Sequence, residues 1–272
     1  MATAMDRLAY GREDFRFIQS MMLQHAGINL HEGKQELVYS RLAKRIRSLG
    51  MDGFPDYCRY ITADDAERLH CINAMTTNVT SFFRESHHFD FLRDTVLPGA
   101  EPLRVWSAGC STGEEPYSIA CLAHDARLRH PDKVVQVTAT DLDSDVIDRA
   151  RRGIYRLGDL DGLSTGQARR WFLKGRGGQA GNVRVRDEVR SFVAFSQLNL
   201  KDDFAFDARF DVIFCRNVMI YFNNGLRSRL LARFHDCLKP GGYLVLGHSE
   251  SLFGLTTRYR VVGKTIHQAR AD

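Results

Sequence analysis

Between residues 13 and 75 the apolar positions recur at helical spacing. In EDFRFIQSMMLQHAG, the residues Phe15, Ile18 and Met22, with His25 or Ala26, fall on one face, and Gly27 is placed to end the helix. KQELVYSRLAKRIRSLG follows, with an apolar stripe of Leu37, Leu42, Ile46 and Leu49, and stops at Gly50. The same helix carries Lys34, Arg41, Lys44, Arg45 and Arg47. FPDYCRYIT and AERLHCINAMTTN predict further helical pieces. The expectation is an all-α N-terminal domain over residues 1–75.

From Leu103 the period changes. LRVWSAG, VVQVTATD, FDVIFC and YLVLGHS read as strands. GEEPYSIACLAHDARLRH, DSDVIDRARRG and GLRSRLLARFHDCLKPGG, lying between strands, read as helices. STGQARRWFLKG reads as one more helix, followed by a glycine-rich turn and by VRVRDEVRSFVAFSQLNL, which supplies a hairpin and a sheet strand. RYRVVGKTIHQAR reads as two edge strands or a hairpin. Alternation of this kind predicts a doubly wound, mostly parallel α/β sheet over residues 96–272, with 76–95 as a linker. Ligands of such sheets bind beyond the carboxyl ends of the strands, at the point where strand order reverses.

Composition adds little. The chain has 272 residues, 44% hydrophobic and 26% charged, as ordinary globular domains do. No run of about 18 apolar residues occurs, so no membrane insertion is expected. The stretch MATAMDRLAYGREDF lacks the apolar core of a signal peptide, which points to the cytoplasm. Six cysteines show no C-x-x-C pair; they read as reduced core filler, and no metal site is expected. A net charge of +5 admits an acidic protein partner or nucleic acid and selects neither.

The chemistry sits at the predicted strand ends. After the first strand comes Gly109-Cys110-Ser111-Thr112-Gly113-Glu114-Glu115. Its G-x-x-x-G spacing departs from the dinucleotide G-x-G-x-x-G, and two carboxylates would repel a pyrophosphate. They suit a ligand with an ammonium group and no phosphate, or simply favour a helix N-terminus. After the second strand, Asp141 is placed to accept two ribose hydroxyls, or else to cap the next helix, a task open to Asp143 or Ser144. Asn199 and Leu200 can edge an adenine, and Arg216-Asn217 ends the fourth strand. In this order the features map a Rossmann-like methyltransferase whose cofactor is S-adenosylmethionine.

The segments NVTSFFRESHHF, SAGCSTGEEPYSIA, ATDLD, FSQLNL, FDVIFCRNVMIYF and LKPGGYLVLGHSES together closely resemble the CheR family of chemotaxis receptor methyltransferases. The resemblance covers nearly the whole chain. It implies a class I methyltransferase domain with a small antiparallel β insertion near residues 180–193, preceded by the helical domain. It implies methyl transfer from S-adenosylmethionine to receptor glutamates. It also implies cofactor contacts at Asn78, Thr80, Arg84, Glu115, Asp141, Asn199, Leu200, Arg216 and Asn217, with Arg84 and Tyr221 at the reacting groups. Within TTNVTSFFRESHHF, Phe82 and Phe83 would anchor a lid whose Asn78, Thr80 and Arg84 face the crevice, while His87 and His88 read as surface or packing residues. The implied partners are receptors. Their acidic methylation helices would meet the basic helix near 34–47, and a receptor C-terminal peptide is a candidate for the β insertion. A nucleic-acid partner is not expected, because CRNVMIY lacks the Asn-Pro-Pro-Tyr-type tetrapeptide of enzymes that methylate exocyclic base nitrogens.

Overall fold

Helix α1 (Arg12–Ala26) begins where the Asp14 carboxylate accepts from the Gly11 amide at 2.8 Å. It ends at Gly27, whose φ of 71° is the left-handed conformation that glycine adopts without strain. In this computed structural model, residues 7–99 and 102–271 are described; the first six residues of MATAMDRLAYGREDF lie outside them. The described residues form two compact units. One comprises those up to Thr77 with Tyr221–Asn223, the other Asn78–Ile220 and those from Asn224 onward.

The first unit contains α1, α2 (Gln35–Ser48), α3 (Phe54–Ala63) and α4 (Asp65–Met75). Phe15, Ile18, Met22 and Ala26 of α1 are buried, as their spacing predicts, and so are Leu42 and Ile46 of α2. Two of the helix's arginines serve the fold. The Arg41 guanidinium donates to the carbonyls of Met75 and Thr76, both at 2.7 Å, and so caps the end of α4. Arg45 Nε donates to Glu67 Oε1 at 2.9 Å, and the Tyr57 hydroxyl donates to the same oxygen at 3.0 Å. The expected basic face of residues 34–47 is therefore smaller than the sequence suggests, because long side chains turn inward where a buried acceptor needs them.

The second unit begins with α5 (His87–Phe91). Then follow β1 (Leu103–Ala108), α6 (Glu114–Arg129), β2 (Val135–Asp141), α7 (Ser144–Arg152) and β3 (Ile154–Arg156). Next come α8 (Thr165–Trp171), β4 (Phe172–Lys174), β5 (Asn182–Val185), α9 (Asp187–Arg190) and β6 (Val193–Gln197). The chain closes with β7 (Phe210–Cys215), α10 (Asn224–Cys237), β8 (Leu238–Leu246), β9 (Tyr259–Gly263) and β10 (Ile266–Ala269). Seven strands form one sheet in the order β6-β2-β1-β7-β8-β10-β9. All pairs from β6 to β8 are parallel, and β10 is antiparallel to both its neighbours. LRVWSA and FDVIFC are nearly continuous apolar runs because the two central strands are buried on both faces. The chain winds away from β1 in both directions, so the reversal of strand order falls between β1 and β7.

The small antiparallel sheet, ordered β3-β5-β4, spans residues 154–185, which corrects the expected 180–193. Three-residue strands are too short for alternation to be read. FLK continues the apolar period of α8, but Phe172 already has extended backbone (φ −127°, ψ 152°). The expected hairpin in VRVRDEVRSFVAF is instead β5, a helical turn and β6.

Candidate functional site

The loop after β1 can follow its path only with glycine at two points. Gly109 has φ 90°, and a Cβ there would lie 2.4 Å from Val218 Cγ2. Gly113 has φ 98°, and its Cβ would lie 2.8 Å from the Ala150 methyl. Between them Ser111, itself at φ 49°, donates its amide to Asp141 Oδ2 at 2.8 Å. Asp141 Oδ1 accepts the Asp143 amide at 3.0 Å. Each carboxylate oxygen keeps a further lone pair, the requirement for taking two neighbouring hydroxyls. Burial raises the Asp141 pKa, against the lowering effect of those amides. The competing capping role belongs to Asp143, whose Oδ1 accepts the Asp145 amide at 2.9 Å and the Val146 amide at 3.4 Å.

Glu115 is not a bare carboxylate awaiting an ammonium, as the acidic loop suggested. Its Oε1 accepts from the Ser107 hydroxyl at 2.7 Å, and its Oε2 from Arg216 Nη1 at 2.9 Å. Arg216 Nη2 also donates to the carbonyl of Arg84 and lies 3.6 Å from Glu85 Oε1. Two carboxylates thus share one buried guanidinium, and Asp141 adds a third negative group. Burial pushes the Glu85 carboxyl up, but the His248 hydrogen bond and the Arg216 charge outweigh it and hold the group below its usual value. Glu114 turns away, accepting from Thr112 Oγ1 at 2.6 Å, and burial raises its pKa.

The segment after Thr77 is stapled to this loop. Asn78 donates to Asp143 Oδ2 at 2.9 Å, and its carbonyl accepts from the Ser111 hydroxyl at 3.0 Å. Phe82 packs edge-on against Tyr155 and Phe172, and Phe83 stacks on Trp171. The two phenylalanines are therefore apolar anchors. Thr80 and Arg84 are half-buried, and Arg84 Nη1 donates to the Val79 carbonyl at 2.9 Å. Among the described residues, five non-glycine positions have positive φ: Phe83, Glu85, Ser111, Asn217 and Thr265. Four of them lie in these segments and at the end of β7. Such conformations cost on the order of 1–3 kcal/mol each and gather at functional sites.

At the far side, Leu200 is buried and Asn199 half-buried beyond β6. Asn217 is fixed from behind by Glu250, which sequence reasoning passed over. The Glu250 carboxylate accepts four amides: Asn217 at 2.9 Å, Val218 at 3.1 Å, Met219 at 2.8 Å and Gly247 at 2.7 Å. Burial raises its pKa, partly offset by those amides. A carboxylate soon after a strand end is the only signal the sequence offered. Tyr221 groups with the helical unit, where its carbonyl accepts the Asn29 amide at 2.9 Å. His88 is fully buried, the packing alternative of the two the sequence left open, and burial with the nearby Arg216 charge pushes its pKa down to about 3.

Surplus negative charge, an Asp141 carboxylate held by two backbone amides and a tight glycine loop fit a cationic nucleoside without phosphate, as S-adenosylmethionine is. Residues 78–267 match the family model described as the CheR methyltransferase SAM-binding domain, and residues 13–76 match the CheR all-α domain. A chemotaxis protein methyltransferase of Salmonella typhimurium is 44% identical over 98% of this chain and 93% of its own. Chemotaxis protein methyltransferase 2 of Pseudomonas aeruginosa is 43% identical over 95% and 93%, and the Escherichia coli protein 42% over 98% and 94%. With both of its parts matched in order and such relatives aligned end to end, the chain belongs to the CheR methyltransferase family.

Proposed function

We infer that this chain transfers a methyl group from S-adenosylmethionine to glutamate side chains of chemotaxis receptors, giving glutamate methyl esters and S-adenosylhomocysteine. The observation that carries the reading is family membership across both parts of the chain. Bound in the crevice, the cofactor supplies a methyl carbon made electrophilic by its sulfonium. We assign Asp141 to the ribose hydroxyls, Asn199 and Leu200 to the adenine, and Asn78, Thr80, Glu115, Arg216 and Asn217 to the remaining cofactor contacts.

A free glutamate has a pKa of about 4.3, so it arrives ionised near neutrality and no residue need act as general base. The chain's task is to align the carboxylate and exclude water. Orientation of this kind lowers a barrier by roughly 7–11 kcal/mol. Charge on both reactants disappears as they react, so a strong fixed charge on the carboxylate would favour the ground state over the transition state. Arg84 therefore serves to orient the carboxylate, and Tyr221 to wall the site or lend one neutral hydrogen bond.

Receptor docking through α2 rests on Lys44 and Arg47, with Lys34 just before the helix, since Arg41 and Arg45 are committed within the helical unit. A receptor C-terminal peptide would add to the small sheet, where β3 and β4 are edge strands. No helix among the described residues is long and apolar enough to cross a membrane. As part of the receptor-methylation reading, we propose a cytoplasmic location beside the receptors' methylation helices. The test is incubation with labelled cofactor and a receptor fragment. Base treatment should release labelled methanol, and label that stays bound or never transfers would refute the ester reading.

A further inference from the structure

The geometry points to a divalent transition-metal site, of the zinc type, formed by Glu85, His87 and His88. One ligand atom from each of the three lies within 4.8 Å of the others. The Thr265 hydroxyl spends its single proton on the Lys264 carbonyl at 2.7 Å. Its oxygen can then only accept from His88 Nε2, 2.8 Å away, so that nitrogen carries the proton. His88 Nδ1 is thereby left as a bare lone pair. It lies 3.7 Å from Glu85 Oε2, another acceptor. Among the described residues neither atom has a hydrogen-bond partner, and His87 Nε2 has none either.

His88 is fully buried, so solvent does not satisfy its lone pair. Two acceptors facing each other in a buried place cost free energy unless something positive stands between them. Two imidazoles and a carboxylate are a common zinc set, with bonds of about 2.0–2.2 Å. Ligand atoms on such an ion stand about 3.3 Å apart, and the 3.7 Å pair needs little movement to reach that. His248 Nδ1, 3.0 Å from Glu85 Oε1 on an exposed side chain, stands beside the cluster as a further donor. The set contains no cysteine, so the cysteine spacing that argued against zinc does not bear on it.

The rigid backbone helps. Glu85 is held at φ 59°, and His87 and His88 open α5, which fixes the three Cα positions before any ion arrives. An ion there would compete with Arg216 for Glu85, and so connect metal binding to the crevice described above.

The experiment uses the tag-free full chain, stripped with chelator and titrated with Zn2+ by equilibrium dialysis and with Co2+ by visible absorption. One equivalent of Zn2+ per chain is expected, with Co2+ giving a tetrahedral d–d band. Glu85→Gln and His87→Gln should each weaken binding at least about tenfold. Without any variant, Co2+ should broaden the imidazole proton resonances of His87 and His88. If the wild-type chain binds no stoichiometric metal, the cluster holds only water and the proposal fails. It fails equally if both folded variants bind as wild type, or if Co2+ leaves those imidazole signals sharp.

Discussion

Arg216 Nη1 and Glu115 Oε2 meet at 2.9 Å across the carboxyl ends of β1 and β7, with both side chains buried. The pair ties the first turn of α6 to the end of the strand on the other side of the topological switch. Removing one partner strands the other charge in a place of low polarity, which costs about 3–5 kcal/mol. Arg216→Met should therefore lower the unfolding free energy by about that amount in urea denaturation. Combined with Glu115→Gln, the loss should be smaller than the sum of the single losses by about 0.5–3 kcal/mol. Strict additivity would show that the two side chains do not act as a pair.

Asp141 uses one lone pair on each oxygen for backbone amides and keeps the others. If these accept cofactor hydroxyls, Asp141→Ala removes hydrogen bonds to a charged acceptor, worth about 1.5–3 kcal/mol. Affinity for S-adenosylmethionine should fall about 10- to 100-fold in calorimetric titration. Capping of α7 belongs to Asp143, so helix content should stay unchanged. Unaltered affinity would remove Asp141 from the cofactor site.

The large elements and the positions of Asp141, Glu115 and Arg216 were legible because strand ends and glycine turns leave local marks. Their pairing was not. Glu115 and Arg216 are 101 residues apart, and only the neighbouring of β1 and β7 brings them together. Glu250 was invisible for a related reason, since satisfying four backbone amides is a property of loop geometry rather than of residue pattern. Arg41 and Arg45 read as surface charge because helical spacing does not reveal which guanidinium reaches a neighbouring helix end. The small sheet escaped because strands of three or four residues are shorter than the period that identifies a strand.

Among the described residues the Arg84 side chain makes one hydrogen bond to the fold, at 2.9 Å to the Val79 carbonyl. Arg84→Ala should then change stability by no more than about 1 kcal/mol. Turnover should nonetheless fall about a hundredfold, the scale of loss when a reacting group is misplaced. Single-turnover methylation of a receptor fragment, with chemical denaturation alongside, separates the two. Wild-type turnover in the folded variant would take Arg84 out of the mechanism.

Acid should act on the helical unit through Glu67. Burial alone would raise its pKa, but hydrogen bonds from Arg45 and Tyr57 outweigh burial, and the folded value lies below the ordinary 4.5. The native state therefore binds fewer protons than the unfolded chain around and below pH 4.5. The stabilisation is present above that pH and is lost as pH falls through the folded value. Glu67→Gln should cost about 2 kcal/mol at pH 7, and the gap from wild type should close towards acid. A gap that persists at pH 3 would assign the loss to packing rather than to charge.

The receptor face is best tested on side chains the fold does not use. Lys34 and Lys44 are exposed, and Arg47 makes only a 3.5 Å contact with the Tyr39 hydroxyl. Reversing Lys44 and Arg47 to Glu should slow receptor methylation at low salt, mainly through slower association, while leaving cofactor affinity and urea stability unchanged. The deficit should shrink as ionic strength rises, because screening removes the attraction in wild type as well. Arg41→Glu and Arg45→Glu make a useful contrast. Each breaks an internal tie and should lower stability first, so any loss of methylation there would follow from unfolding. If the Lys44/Arg47 reversal leaves low-salt methylation at the wild-type rate, α2 is not where the receptor docks.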